Sequence, residues 1–369
     1  MTGPLVMKFG GTSVAGAAAM TDVARIVKDA TAGSRHIVVV VSAMSGVTDA
    51  LLAACRAARD GGIEQVERHL PELQSRHLAV VNELFADAAI ACDIAAEVTR
   101  ACDELRGVLT SVAILQELTP RGADRVTAAG ELLSSRIVAT LLRESGIPAR
   151  WIDARRAVVS DAGFGAAWPD LAATTIAAAG EITPAWQAGE VGVTGGFVAA
   201  TPEGITTTLG RGGSDVSAAV LGAALDAAEI QIWTDVDGML TADPRVVHDA
   251  QPVGRLSFDE AAELAYFGAK VLHPSTILPA VEKNIPVRIL NTLRPGNPGS
   301  LITADGGGAD RALTAIACKR NVTVVNVTST RMLHAHGFLR KVLRGLRAPR
   351  DLGGRGHDLR SERLDDAGR

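Results

Sequence analysis

The sequence predicts an α/β fold, a mostly parallel sheet sandwiched by helices, followed by an incomplete α+β segment. Three observations predict it. Short β-rich runs alternate with helix-like stretches from the N-terminus. Gly-rich turns follow strand-like runs and open helices. The 369 residues are 47% hydrophobic, enough to bury a sizeable core in two or three domains.

The elements follow in order. Leu5–Phe9 and His36–Val41 are short apolar runs that read as strands, and Thr21–Ala30 between them reads as helix. This βαβ unit implies a parallel sheet covered on both faces. From about Asp49 to Glu144 the chain is rich in Ala, Leu, Glu and Arg with few breakers, predicting several long inserted helices. Strands resume at Ala149–Asp153, Val191–Thr194 and Glu229–Thr234. Ser257 and Glu260 form a capping box that opens a helix over Ala261–Phe267, and Pro286–Leu290 is a further strand. Residues 291–311 are rich in Gly, Pro, Asn and Asp and read as a connection. Ala315–Cys318 and Val322–Thr328 then read as strands, and His336–Val342 begins a helix. The expected divisions are 1–305 for the main domain, 306–312 for the linker, 313–342 for the start of a small domain, and 343–369 for a tail without a period of 2 or 3.6.

Composition excludes several functions. A net charge of −4 gives no electrostatic reason for nucleic acid or an anionic membrane as partner. The longest apolar runs, such as Ile37–Val41, are far too short to span a bilayer, and Met1–Met7 lacks the features of a signal peptide. Cys55, Cys92, Cys102 and Cys318 are scattered without a C-x-x-C spacing, which fits a reducing cytoplasm better than a zinc site or a disulfide framework. The eight histidines include no ligand pattern; His334 and His336 are alternate residues that cannot face each other on a helix. No metal held by protein side chains is expected.

Two Gly-rich turns carry the chemistry. Lys8-Phe-Gly-Gly-Thr-Ser13 follows the first strand, and Thr208-Leu-Gly-Arg-Gly-Gly-Ser-Asp215 runs into an apolar helix. Each offers bare backbone N–H groups at a helix start, where an anion is received. Neither matches G-x-x-x-x-G-K-[ST] or G-x-G-x-x-G. Lys8 at a strand end can meet phosphates as a point charge, and Asp215 can orient Lys8 or a Mg²⁺; a solvated Lys and a helix-dipole partner are the ordinary alternatives. Val41–Asp49 is a third small-residue turn, offering hydroxyls and N–H groups for a substrate or merely for a helix cap. Glu131 alone reads as a solvated surface residue, and Arg211 as a clamp on a carboxylate or a free cation in a flexible turn. Together they suit an α-amino acid. Trp233–Gly238 ends a strand in polar residues, where a nucleotide base and ribose could sit. Thr241–Arg245 and Phe267–Lys270 add two cations that alone read as surface charge.

Taken together, Lys8–Val14, Val41–Asp49, Gly130-Glu131, Thr194–Phe197, Thr206–Ser217, Trp233–Arg245 and Phe267–Pro274 resemble the aspartokinase branch of the amino acid kinase family, over roughly residues 5–303. The resemblance implies ATP-dependent phosphorylation of the L-aspartate side-chain carboxylate to 4-phospho-L-aspartate, the entry to lysine, threonine, methionine and diaminopimelate. It implies Lys8 and Asp215 as the transfer pair, and Ser42, Thr48, Glu131, Phe197, Arg211 and Ser214 around aspartate. Gly10, Gly11, Ser13, Thr234, Asp235, Asp243, Arg245 and Lys270 would hold ATP, with Mg²⁺ carried by the nucleotide. Leu240 stands where some relatives carry Tyr, implying altered base stacking. A carboxylate with a pKa of about 4 is already ionised at neutral pH, so the nucleophile needs no general base. Readings outside this one are a different amino acid kinase, such as one acting on glutamate, and a non-catalytic amino-acid sensor or inactive remnant of a broken gene.

Residues 313–342 resemble the start of an ACT regulatory domain, most recognisably Met332–Phe338, and the resemblance stops at Val342. Leu343–Arg347 can be encoded so that reading one base later gives FEVF, and a frameshift is the expected cause of the changed tail. Feedback inhibition by lysine or threonine is then expected to be weak or absent. The family's homodimer would lack part of its regulatory surface.

Overall fold

The computed structural model describes residues 3–34, 36–267, 274–307 and 314–317. Strands β1 (Leu5–Phe9) and β2 (Ile37–Val41) are buried along their whole length, with α1 (Ala17–Thr31) between them. Burial on both faces is why β2 reads as an unbroken apolar run and β1 as one broken only at Lys8, rather than as alternating patterns. Along β1 and β2, Met7, Phe9, Val39 and Val41 pack on one face of the sheet, and Val6, Val38 and Val40 on the other. This is the period of 2 that a pleated strand imposes.

The predicted helical insertion consists of α2 (Val47–Arg59), α3 (Ile63–Leu84), α4 (Ala88–Leu115), α5 (Pro120–Thr127) and α6 (Ala129–Glu144). Asp87 caps α4, and Thr119 caps α5 ahead of Pro120, the residue types that satisfy orphan N–H groups there. β3 (Ala149–Ile152) stops one residue short of the predicted strand, because Asp153 turns to cap α7 (Ala154–Ala157). After α8 (Leu171–Gln187) come β4 (Val191–Gly195), β5 (Val198–Ala200), β6 (Thr206–Thr208), α9 (Gly213–Ala224) and β7 (Glu229–Thr234). The described chain closes with β8 (Arg255–Ser257), α10 (Phe258–Phe267), α11 (Leu278–Glu282), β9 (Val287–Asn291) and β10 (Ser300–Thr303).

Eight strands form one sheet in the order β3-β4-β2-β1-β7-β9-β10-β8, parallel except at β9–β10; β5 and β6 pair antiparallel apart from it. β1 lies between β2 and β7. The chain leaves β1 toward one neighbour and returns much later to the other. A crevice therefore opens at the carboxyl ends of these strands, where open α/β sheets bind ligands.

Several expectations are corrected. β10 falls inside the stretch read as a connection, and β5, β6 and β8 carried no prediction; strands of three or four residues show too little period. The capping box is present, with Ser257 N–H donating to Glu260 Oε2 at 2.7 Å and Glu260 N–H donating to Ser257 Oγ at 3.1 Å. Ser257 is therefore the cap itself, and the helix starts at Phe258, not Ala261. The first Gly-rich turn leads into a 3-10 turn, Thr12–Val14, before α1 begins. Residues 315–317 are not a strand: Ile316 N–H donates to Thr241 O at 2.8 Å, and Thr314 Oγ1 donates to Glu260 Oε1 at 2.6 Å. Lys270, the predicted strand Val322–Thr328, the helix at His336–Val342 and the tail lie outside the described residues.

Candidate active site

The crevice at the ends of β1, β2 and β7 is a cleft of about 890 Å³. Its central feature follows from strand periodicity. Lys8 is opposite Val40 and Ile232 in the ladders, so it shares the face of the sheet on which α9 packs. Asp215 sits in the first turn of α9, where the helix dipole favours a carboxylate. The two meet, with Lys8 Nζ 2.6 Å from Asp215 Oδ1 and side chains only 11% and 15% exposed. Two residues 207 positions apart thus become one ion pair at the cleft floor.

Glycines make the turn before α9 possible. Gly212, the residue before the helix, has φ of +72°, and a Cβ there would lie 2.8 Å from Thr276 Cγ2. A Cβ on Gly213 would lie 2.6 Å from the Phe197 ring. Both positions exclude other residues, by conformation in the first case and by space in the second. Phe197 itself has φ of +63°, uncommon for an aromatic residue. Its N–H donates to Ser217 Oγ and its carbonyl accepts from Leu209 N–H, both at 2.9 Å, so α9 and the turn hold it in that conformation.

Glu131, in the first turn of α6, is 4% exposed rather than solvated. Burial pushes its carboxyl up to about 8, against the opposing pull of the Ala43 and Glu131 amides. Its Oε2 lies buried without a hydrogen-bond partner. Ser134 Oγ, one turn on, donates to Ser42 O at 2.7 Å and ties α6 to the turn after β2. Ser42, Thr48, Phe197, Arg211 and Ser214 all line the same cleft, and Arg211 has no ion-pair partner among the described residues. All six predicted amino-acid residues therefore surround one space with Lys8 and Asp215.

The predicted nucleotide residues divide. Gly10, Gly11 and Thr234 line the cleft, and Gly10 N–H donates to Trp233 O at 3.1 Å, joining the first turn to β7. Asp235 is exposed beside them and accepts from Thr234 Oγ1 at 3.1 Å. Ser13 is not in the lining: it is 3% exposed, and its hydroxyl is 2.6 Å from that of Thr292. Asp243 and Arg245 are also absent from the lining and pair with each other at 2.6 Å.

Sequence reasoning missed Asp124, which lines the cleft from α5 and is 2% exposed. Its carboxylate accepts from Gly165 N–H at 3.0 Å to each oxygen, from Thr208 N–H at 3.0 Å, and from Thr208 Oγ1 at 2.7 Å. It buckles α5, the Gly165 turn and the approach to Arg211 together. The one local signal was an Asp one helical turn and a half before Gly130-Glu131.

The arrangement brings the Lys8–Asp215 ion pair at the cleft floor beside an unpaired guanidinium and a buried acid. Comparison with known proteins identifies the family. A family profile described as Amino acid kinase family matches residues 3–291. The chain is 41% identical over 342 residues to Aspartokinase 3, chloroplastic, of Arabidopsis thaliana, covering 91% of this chain and 59% of that one. It is 38% identical over 343 residues to Lysine-sensitive aspartokinase 3 of Escherichia coli, covering 92% and 72%. The crystal structure of E. coli aspartokinase III with aspartate and ADP matches with a TM-score of 0.73 at 38% identity, covering 81% of this chain and 64% of that chain. The same enzyme with lysine and aspartate matches with a TM-score of 0.75 at 35% identity, covering 93% and 74%. The chain thus spans about three-fifths of the length of the plant relative.

Proposed function

Because the chain belongs to the amino acid kinase family, in its aspartokinase branch, we propose that it transfers the γ-phosphoryl group of ATP to the side-chain carboxylate of L-aspartate. The product is 4-phospho-L-aspartate, the first intermediate toward lysine, threonine, methionine and diaminopimelate. The observation that carries this reading is the Lys8–Asp215 pair facing a cleft that also holds Arg211 and the buried Glu131. The related E. coli enzyme is described in complex with aspartate and ADP.

In the proposed reaction the attacking carboxylate is already an anion, so the barrier is electrostatic. Lys8 neutralises charge on the transferring phosphoryl group while Asp215 fixes the ammonium in position. The N-terminus of α9 and the amides of Gly10 and Gly11 add partial positive charge without needing to reorganise. Arg211 takes the α-carboxylate as a bidentate fork, and Glu131 takes the α-ammonium. Ser42, Thr48, Phe197 and Ser214 complete the amino-acid pocket. Thr234, from the cleft lining, and Asp235 beside it would meet the nucleoside, Asp243, Arg245 and Lys270 are assigned to the nucleotide on the family resemblance alone, and Ser13 supports the turn from behind. Mg²⁺ would arrive on the phosphates of the nucleotide. No described helix is long and apolar enough to cross a membrane. A reducing cytoplasm completes the proposal, and the family's homodimer would lack part of its regulatory surface in this chain.

The direct test is ATP-dependent acyl-hydroxamate formation with L-aspartate against L-glutamate, with and without lysine plus threonine. Product with aspartate, little with glutamate and no response to the effectors is expected. Glutamate turning over as fast as aspartate would reject the substrate assignment.

Glu131 gives this reading a pH signature. Its carboxyl is raised to about 8, so it is mostly protonated at pH 7, and pairing with an ammonium must expel that proton. The KM for aspartate should therefore fall as pH rises from 7 toward 9 and then level off. Glu131→Gln should raise KM and flatten the dependence. In the ligand-free protein the same shift acts on folding. The stability it contributes is full below the ordinary carboxylate pKa and is lost as pH rises through about 8. Thermal melts across this range check that second expectation.

A further inference from the structure

Behind α5 and α6, on the side away from the cleft, lies a second cavity of about 310 Å³ that the proposed reaction does not use. Its lining carries four guanidiniums, Arg100 from α4, Arg125 from α5, Arg136 from α6 and Arg155 from α7, against two carboxylates, Glu97 and Glu104. Glu104 pairs with Arg125, Glu97 with Arg136 and, from outside the lining, Asp153 with Arg155, which leaves one charge on the wall, that of Arg100, without a paired carboxylate. Like charges gathered in one concavity repel, and a small anion relieves that repulsion.

The guanidiniums are oriented yet keep donors to spare. Arg136 spends only Nη1, on both oxygens of Glu97 at 2.9 and 2.8 Å, and lies flat over Trp151 at 3.6 Å from the ring centroid. Arg125 spends Nη2 on Glu104 at 3.2 Å. Arg155 spends Nε and Nη2 on Asp153, which is not in the lining. Arg100 has no ion-pair partner among the described residues. Each paired arginine is held by a carboxylate or a ring, so binding an anion with its remaining N–H groups costs little further ordering. Leu105, Val108 and Leu132 supply an apolar wall for the body of a ligand.

We propose that this cavity binds a small anion with two or more carboxylate or phosphate groups and that its occupancy acts on the cleft through α5, α6 and β6. All three elements contribute to both spaces. Arg125 faces the cavity and its neighbour Asp124 the cleft; Leu132 faces the cavity and Glu131 the cleft; Thr206 and Thr208 of β6 divide in the same way. A shift of α5 that lets Arg125 close on an anion moves the Asp124 buckle, and with it the chain leading to Arg211.

The test is calorimetric titration of the full chain with pyrophosphate and, separately, citrate, at fixed ionic strength and with saturating ADP so that the cleft's own phosphate site is filled. Saturable binding with a Kd below about 1 mM is expected. The double variant Arg100→Gln, Arg125→Gln should weaken it by about tenfold or more while ADP affinity stays unchanged. Binding by one probe alone would assign the site to carboxylates or to phosphates. No saturable binding of either, or equal affinity in the double variant, would overturn the site. A second readout, which rests on the kinase reading, is the KM for aspartate. It should shift when the anion saturates the wild type and not in the double variant, and a KM that ignores a bound anion would overturn the coupling.

Discussion

Lys8→Ala is expected to lower kcat by about three orders of magnitude with the fold intact. Removing a preorganised charge from the transferring group or its oxyanion costs about 10²- to 10³-fold in related chemistry, and arginine fingers in phosphoryl transfer reach further. The α9 N-terminus and the Gly10 and Gly11 amides supply only partial positive charge, so they do not replace the full charge of the ammonium. The backbone bonds of β1 to β2 and β7 do not involve the side chain, and the apolar neighbours of β1 stay buried. What the variant leaves behind is Asp215 without its ion-pair partner, at 15% side-chain exposure and still in the favourable first turn of α9. That is a modest penalty, so the melting temperature should move little while turnover collapses. Lys8→Arg should not restore activity, because a planar fork cannot take the place of a compact ammonium between a carboxylate and a phosphoryl group. Steady-state turnover beside thermal unfolding decides the matter. A folded Lys8→Ala enzyme within tenfold of wild-type kcat would remove Lys8 from the chemistry.

The parts of this molecule that could be read from its sequence are those where one local pattern suffices. Leu5–Phe9 and Glu229–Thr234 were placed to the residue because each is a short strand-like segment closed by a turn, the first marked by the apolar run Leu5–Met7 and the second by Ile230, Ile232 and Trp233. Lys8 and Asp215 stood out because each adjoins a Gly-rich turn at a helix start. Burial was not legible at Glu131, whose flanks give no sign that α6 lies beneath the turn after β2. The family resemblance, not its local pattern, put it in the site. Ser13 shows the limit of that resemblance: its hydroxyl points at Thr292, 279 positions away, and supports the turn without lining the cleft. Asp124 was invisible because its partners lie 41 and 84 positions along the chain, and its own helix is polar enough to pass for surface.

Asp124→Asn is expected to raise the KM for aspartate by about tenfold or more and to lower the melting temperature, with kcat at saturation changed only a few-fold. The buried carboxylate is acceptor-only and receives three donors from two segments, the amides of Gly165 and Thr208 and the Thr208 hydroxyl. An amide side chain in its place has one oxygen to accept and an NH₂ group that must face one of those N–H donors. At least one buried donor then loses its partner, a cost of about 1–3 kcal/mol, and the charge-assisted strength of the remaining bonds is lost as well. The functional loss follows from sequence order: Thr208 is three residues before Arg211, and the glycines between and after them give the turn no stiffness of its own. Once β6 is released from α5, Arg211 no longer points into the cleft from a fixed base, and the guanidinium must be ordered by the substrate at the substrate's expense. The Lys8–Asp215 pair sits on β1 and α9, which Asp124 does not touch, so the transfer step itself should survive. Thr208→Val, which removes only the hydroxyl bond, should move KM in the same direction by less. A lowered melting temperature with an unchanged KM would reduce Asp124 to a structural buckle and leave Arg211 positioned by other means.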